Sequence, residues 1–332
     1  MSPKAMLVTG ATGFLGGHLA EAAVRQGHRV STLAREGSDT GFLERQGVTV
    51  HRGDLADPAA VARAVAGAEV IVHCAAKVGD WGPVESYRQV NVNALRNLLD
   101  AARTQPLQRF VHISSLGVYA AEHHYGTDES APLPANHVDG YTQTKVEAEQ
   151  LVMQYHQEHQ LPVVVLRPGF IYGPRDRTVL PQLIQNLRNR MVRYLGGSGK
   201  ALNTIYVGNL VDAVFLAIEK DQAVGQIFNL TDGEYVSKKR FIESITGALN
   251  LPKPRPVPVP MWLARLIAWR LESQARKQNA AESPRLTQAR LKFMGLNLDF
   301  SIDRAKRELG YAPRVPFDAA IQETMAWYRE KV

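Results

Sequence analysis

The sequence predicts an α/β fold: a doubly wound parallel Rossmann sheet with a smaller, mostly helical C-terminal substrate lobe. Three observations carry this reading. Short runs rich in Val, Ile and Leu alternate with helix-period segments through the first half of the chain. Most of these runs lack polar alternation, as strands buried on both faces should. A glycine-rich turn joins the first run to the first helix. Of the 332 residues, 45% are hydrophobic and 21% charged, which excludes a disordered tail, a collagen-like fibre or a coiled coil.

The elements follow in order. Strands are expected at Ala5–Thr9, Arg29–Leu33, Val48–Arg52, Val70–Ala75, Arg109–Ser114 and Val163–Arg167. Helices are expected between them at Phe14–Gln26, Pro58–Val65, Ser86–Arg103 and Tyr141–His159. A helix over Asn209–Glu219 and a strand over Gln226–Asn229 return the chain to the sheet. Prolines at 252, 254, 256, 258 and 260 then forbid helix and favour an extended, polyproline-like connector. A strongly apolar helix, Met261–Leu271, comes next, and Phe317–Lys331 closes the chain as a final helix. The expected dinucleotide-binding domain is 1–167 plus about 204–231, and the substrate lobe is about 168–203 plus 232–332.

Charge and cysteine content narrow the partners. The balance of 39 Lys and Arg against 32 Asp and Glu is a mild net +7. The basic residues are scattered until the last third, without the aromatic-interleaved stripe that nucleic acid would require. A phosphate-bearing cofactor accounts for such a field equally well. The single Cys74 forms no internal disulfide or Cys-based zinc cage and fits a reducing compartment. No stretch approaches ~20 apolar residues, and a glycine at position 10 arrives before a signal-peptide core. A cytoplasmic protein with no membrane span and no bound metal is expected. His123-His124 lacks a third ligand at helical spacing, so it reads as a polar loop. Gly196-Gly197-Ser198-Gly199-Lys200 lacks the early glycine and the following Ser or Thr of a triphosphate loop, and reads as a flexible loop near the substrate.

The chemistry begins at Thr9-Gly10-Ala11-Thr12-Gly13-Phe14-Leu15-Gly16. Gly10 permits a tight turn, Gly13 lets backbone approach a pyrophosphate, and Gly16 lets the helix pack close to the strand. The helix N-terminus offers free N–H groups to phosphate. At the end of the second strand, Ala34 stands where an acid would select NAD, and Arg35 follows. Arg35 is therefore expected to grip the 2′-phosphate of NADP, the other reading being a solvated surface arginine, so NADP(H) is favoured and NAD(H) is the alternative. Gly53-Asp54-Leu55 is placed beside the adenine ring, with Asp54 otherwise serving to cap Pro58–Val65. Tyr141 and Lys145 share one helix face at i and i+4. A nearby ammonium favours the phenolate of a tyrosine whose ordinary pKa is near 10. Ser114 and Ser115 end the fifth strand, at the sheet edge where ligands sit.

These motifs resemble the extended short-chain dehydrogenase/reductase superfamily over essentially the full length. The matching pieces are Thr9–Gly16, Gly53-Asp54, His73–Lys77, Asn91-Val92-Asn93, Ile113–Tyr119, Tyr141–Lys145 and Leu166–Pro174. The resemblance implies Tyr141 as acid–base, Lys145 on the nicotinamide ribose, Ser115 orienting the substrate oxygen and Asn91 in the proton relay. It also places Ala75, Ala76 and Lys77 under the cofactor, and puts Pro168, Gly169 and Ile171 against it. Within the superfamily, Ser283–Thr287, Asp299–Pro313 and the Ala75–Gly82 segment resemble the 3β-hydroxysteroid dehydrogenase and 2-alkyl-3-oxoalkanoate reductase branch.

That branch implies hydride transfer between a secondary alcohol and a ketone on a small apolar substrate. The alternatives are a nucleotide-sugar epimerase or dehydratase and, further off, a non-catalytic NAD(P)-sensing regulator. Retention of the Tyr–Lys pair argues against the regulator. Trp262, Leu266, Ile267 and Trp269 are expected to pack over an apolar pocket as a lid. The other reading of that helix, with Arg265, Arg270, Arg276 and Lys277 nearby, is contact with a membrane surface. A homodimer is compatible with all of this.

Overall fold

Seven strands form one parallel sheet in the computed structural model, which describes residues 2–330. They are β1 (Ala5–Thr9), β2 (Arg29–Ala34), β3 (Thr49–Arg52), β4 (Val70–His73), β5 (Arg109–Ile113), β6 (Val163–Pro168) and β7 (Gln226–Leu230). Their order is β7-β6-β5-β4-β1-β2-β3. The direction of winding reverses between β1 and β4, and a crevice opens there at the C-terminal strand ends.

Side-chain alternation shows why both faces need helices. Met6 and Val8 enter one core and Leu7 the other, and Val70 and Val72 likewise oppose Ile71. On the first face lie α1 (Phe14–Arg25) and a helix over Val207–Glu219; on the second lie α2 (Pro58–Val65), α3 (Ala94–Ala102) and α4 (Gly140–His159). Asp57, not Asp54, caps α2 by accepting from the Ala59 N–H at 2.9 Å. Asp54 instead closes its own turn on the Ala56 N–H at 2.8 Å.

Three further departures from the sequence reading have physical causes. The helix expected over Ser86–Arg103 begins at Val84 and is interrupted by a π-turn at Gln89–Asn93, which carries Asn91. The proline-rich connector is a strand at Arg255–Val259, paired parallel with Arg193–Leu195. Alternate prolines are compatible with one pairing edge, because their missing N–H groups all fall on the other. His124 is buried at the start of a short strand, His124–Thr127, paired with Leu298–Phe300, so the segment is more than a polar loop. The last helix ends at Arg329, and Lys331 lies outside the described residues.

The C-terminal region continues as α5 (Met261–Lys277), α6 (Gln288–Gly295) and α7 (Phe317–Arg329). Helix α7 packs Ile321 and Met325 into the first core. No helix among the described residues is long and apolar enough to cross a membrane.

Candidate active site

The glycine turn sits at the switch point with three different constraints. Gly10 has φ +72°, and a Cβ there would stand 2.8 Å from the Ala75 nitrogen. A Cβ on Gly16 would stand 2.3 Å from the Gly10 carbonyl oxygen. Gly13 caps α1 without a side chain over the helix end, while its own N–H donates to Gly10 O at 2.9 Å. Thr12 and Gly13 are exposed and Leu15 and Gly16 are buried, so the turn offers backbone to solvent and packs its other side. A helix end left open in this way suits a phosphate.

Along the same edge, β5 delivers Ser115 and α4 delivers Tyr141 and Lys145. Asp139 caps α4 by accepting from the Thr142 N–H at 2.7 Å, which fixes the first turn that bears Tyr141. Lys145 is buried; its Nζ donates to the Ile113 carbonyl at 2.7 Å and lies 5.9 Å from the centre of the Tyr141 ring. Burial pulls the Lys145 ammonium down to about 8, against the opposing pull of Cys74 and Glu149. Burial pushes the Tyr141 phenol up to about 12, with the Ser115 hydroxyl bond drawing it the other way. Ser115 also accepts from the Gly117 N–H at 3.0 Å, which orients its oxygen.

Asn91 earns its π-turn through bonding. Its Oδ1 accepts from the Lys77 N–H at 2.7 Å, and its Nδ2 donates to Lys77 O at 3.1 Å and Thr144 Oγ1 at 3.0 Å. The asparagine thus ties the Ala75-Ala76-Lys77 segment to α4. Thr9 Oγ1 accepts from the Ala75 N–H at 3.3 Å and joins the segment to the glycine turn. Pro168 is buried at the end of β6, and Gly169 and Ile171 follow half-buried. A Cβ on Gly169 would lie 1.9 Å from the Asn203 carbonyl oxygen.

The adenosine side is more open. Ala34 is buried, Arg35 is exposed, and among the described residues the Arg35 guanidinium has no partner. Arg52 braces the loop behind it, donating to Ser38 O at 3.2 Å and Thr40 Oγ1 at 2.6 Å. Asp54 is exposed and Leu55 half-buried, its carbonyl accepting from Asn97 Nδ2 at 3.0 Å.

Several further participants make contacts that the sequence does not show, although Ser114, Tyr119, Arg167, Asp80, Ser283 and Thr287 lie in segments already matched. Glu149, one turn beyond Lys145, is buried against Arg167 at 2.6 Å and accepts from the Ser114 hydroxyl. Arg167 also donates to the Tyr119 hydroxyl at 2.8 Å. Lys292 of α6 donates to Gly117 O at 2.6 Å and Tyr119 O at 2.5 Å, joining α6 to the Ser115 loop. Asp80 receives Arg290 at 2.8 Å, Thr287 at 2.7 Å and Ser283 at 3.0 Å, which clamps the loop after Lys77. Only the i,i+4 spacing from Lys145 hinted at Glu149; the others are far apart in sequence.

The expected lid is corrected. Helix α5 buries Ala264, Ala268 and Ala275, while Trp262 and Trp269 are 69% and 61% exposed and Leu266 and Ile267 are also exposed. The small residues permit close packing, and the bulky ones are turned to solvent.

A parallel sheet with a glycine turn at its switch point and a Tyr–Lys helix beside it defines the extended short-chain dehydrogenase/reductase class. The chain belongs to the NAD dependent epimerase/dehydratase family, whose profile matches residues 6–231, and it is an enzyme of that family. It is 31% identical over 340 residues to the 2-alkyl-3-oxoalkanoate reductase of Stenotrophomonas maltophilia, covering 97% of this chain and 98% of the relative. It is 33% identical over 310 residues to the 4-hydroxy-2-methyl-3-oxo-4-farnesyl-3,4-dihydroquinoline-1-oxide ketoreductase of Stigmatella aurantiaca, covering 93% and 92%. The crystal structure of gox2253 superposes with a TM-score of 0.81 at 30% identity, covering 99% of this chain and 98% of that one.

Proposed function

We propose that this enzyme interconverts a ketone and a secondary alcohol on an apolar substrate, with Tyr141 as acid–base and NADP(H) favoured over NAD(H). A long-chain β-keto or β-hydroxy acid, or a 3β-hydroxysteroid-like molecule, is the substrate class. The observation that carries the reading is the buried Lys145 ammonium 5.9 Å from the centre of the Tyr141 ring, at the sheet edge where Ser115 follows β5. The residues present suit the dinucleotide, because any Cβ on Gly10 or Gly16 would collide with backbone and no side chain among the described residues caps the N-terminus of α1. Gly10, Thr12, Gly13, Phe14, Leu15 and Gly16 would hold the pyrophosphate. Arg35, Asp54 and Leu55 would hold the adenosine end. Ala75, Ala76, Lys77, Tyr141, Lys145, Pro168, Gly169 and Ile171 would hold the nicotinamide end. When bound, the nicotinamide supplies or accepts the hydride.

The chain's own groups move the proton. Held at about 12, Tyr141 keeps its proton through the neutral range and donates it to the ketone oxygen during reduction. The Ser115 hydroxyl donates a hydrogen bond to that same oxygen. Lys145 stabilises the phenolate left behind, and Asn91 keeps α4 and the Lys77 segment in register. The apolar substrate is supported by relatives whose names carry alkyl and farnesyl groups. The outward-facing tryptophans of α5 no longer support it.

The test is a substrate panel of 3-oxo acids of increasing alkyl length, 3-ketosteroids and nucleotide sugars. Each buried methylene is worth about 0.8 kcal/mol, so kcat/KM should climb roughly fourfold per carbon until the pocket is filled. Preference for a nucleotide sugar, or turnover indifferent to chain length, would move the enzyme to the epimerase/dehydratase reading.

A further inference from the structure

The outer face of α5 has a pattern that internal packing does not account for. At 3.6 residues per turn, Trp262, Leu266 and Trp269 lie on one stripe, and all are exposed. Arg265 and Arg276 flank the stripe on one side and Arg270 and Lys277 on the other; all four are exposed. The one acidic residue of the helix, Glu272, is occupied: it accepts from the Gln288 N–H at 2.7 Å and lies 3.7 Å from Arg276. Just upstream, Arg255 and Val257 of the proline strand are exposed as well, Val257 at 74%.

We propose that this face docks on an anionic lipid bilayer, with α5 lying in the plane of the interface. Trp262, Leu266 and Trp269 enter the headgroup–acyl boundary, where an indole buries its ring and keeps its N–H near polar groups. Arg265, Arg270 and Lys277 bury their stems along the same boundary and present their charges to lipid phosphates. Charge decides between this partner and a second copy of the chain. A two-fold contact on the stripe would set the same four cations against themselves, whereas an anionic surface turns each into an attraction. The docked helix packs against α6, whose Lys292 reaches the Ser115 loop. Docking therefore holds the candidate site next to the lipid.

Co-sedimentation of the full chain with vesicles tests this without reference to turnover, so its failure leaves the catalytic reading intact. Wild type should bind vesicles of mixed phosphatidylcholine and phosphatidylglycerol at least about tenfold more tightly than phosphatidylcholine alone, and added salt should weaken that binding. The double variant Trp262→Ser/Trp269→Ser should lose binding with an unchanged circular dichroism spectrum, since both side chains are exposed. The charge-reversed variant Arg265→Glu/Arg270→Glu should lose the preference for anionic lipid. Absence of wild-type binding to the mixed vesicles, or full binding by the tryptophan variant, overturns the proposal. A wild-type dimer in light scattering that the tryptophan variant abolishes overturns it in favour of the second copy.

Discussion

At Lys145 and Tyr141, burial acts on two groups of opposite charge and moves both toward neutrality, to about 8 and about 12. The pair is therefore poised to pass a proton and ill-suited to a permanent ion pair. Lys145→Ala should weaken cofactor binding and slow turnover together, because one ammonium is proposed to serve the ribose and the phenolate. Titrating cofactor fluorescence alongside steady-state rates checks this, and a change in only one of them separates the two roles. Arg35 is a different kind of residue, exposed, with a guanidinium that has no partner among the described residues. A hydrogen bond to a charged group is worth about 1.5–3 kcal/mol, so Arg35→Ala should cost NADP(H) roughly tenfold or more in Kd and leave NAD(H) unchanged. Wild-type preference for NAD(H), or equal NADP(H) affinity in the variant, removes Arg35 from the site.

Among the elements, α4 is fastened between β5 and β6 by the buried Glu149–Arg167 pair and the Ser114 hydroxyl. Removing one partner strands a buried charge, at a cost of about 3–5 kcal/mol. Glu149→Ala should lower the denaturation midpoint accordingly, whereas an unchanged midpoint would show that the charge is not confined. The sheet strands were legible because both faces are buried and leave unbroken Val, Ile and Leu runs. The glycine turn was legible because three glycines at fixed spacing mark where backbone must approach backbone. The π-turn at Asn91 was not, since it is a single turn of i→i+5 bonding, too short to stand out from the helical pattern on either side. Nor was the orientation of α5. Apolar residues stand on most sides of that helix, and hydropathy does not say whether the alanine face or the tryptophan face meets the protein. The proline strand was misjudged because alternation every second residue suits an edge strand as well as a free polyproline segment.

Across the whole molecule, buried histidines set the response to acid. Burial holds His18 down to about 4, His73 to about 3 and His112 well below the ordinary 6.5. The unfolded chain takes up protons below 6.5 that the folded chain refuses, so this stability is full above pH 6.5 and is lost as pH falls through 4. Burial holds His28, His123, His124 and His137 below 6.5 as well, so Asp232, pushed up to about 6 by burial, acts in the opposite sense over that range as one group against seven. Tm should therefore fall between pH 6.5 and 4. His73→Asn, which keeps a polar group near Thr9, should shallow that fall; an identical slope would place the acid sensitivity elsewhere. The placement of α6 was not legible, because it rests on pairs such as Lys292 with Gly117 and Tyr119, which lie far apart in the chain and leave no local pattern.

The most direct test of the catalytic account is Tyr141→Phe, assayed for NADPH-dependent reduction of a long-chain 3-oxo acid and for cofactor affinity on the same preparation. General acid catalysis is worth about 10²–10⁴-fold, so turnover should fall by at least that scale while the cofactor Kd stays within about twofold. Near-normal turnover by the phenylalanine variant would contradict the account and place the proton donor on another residue.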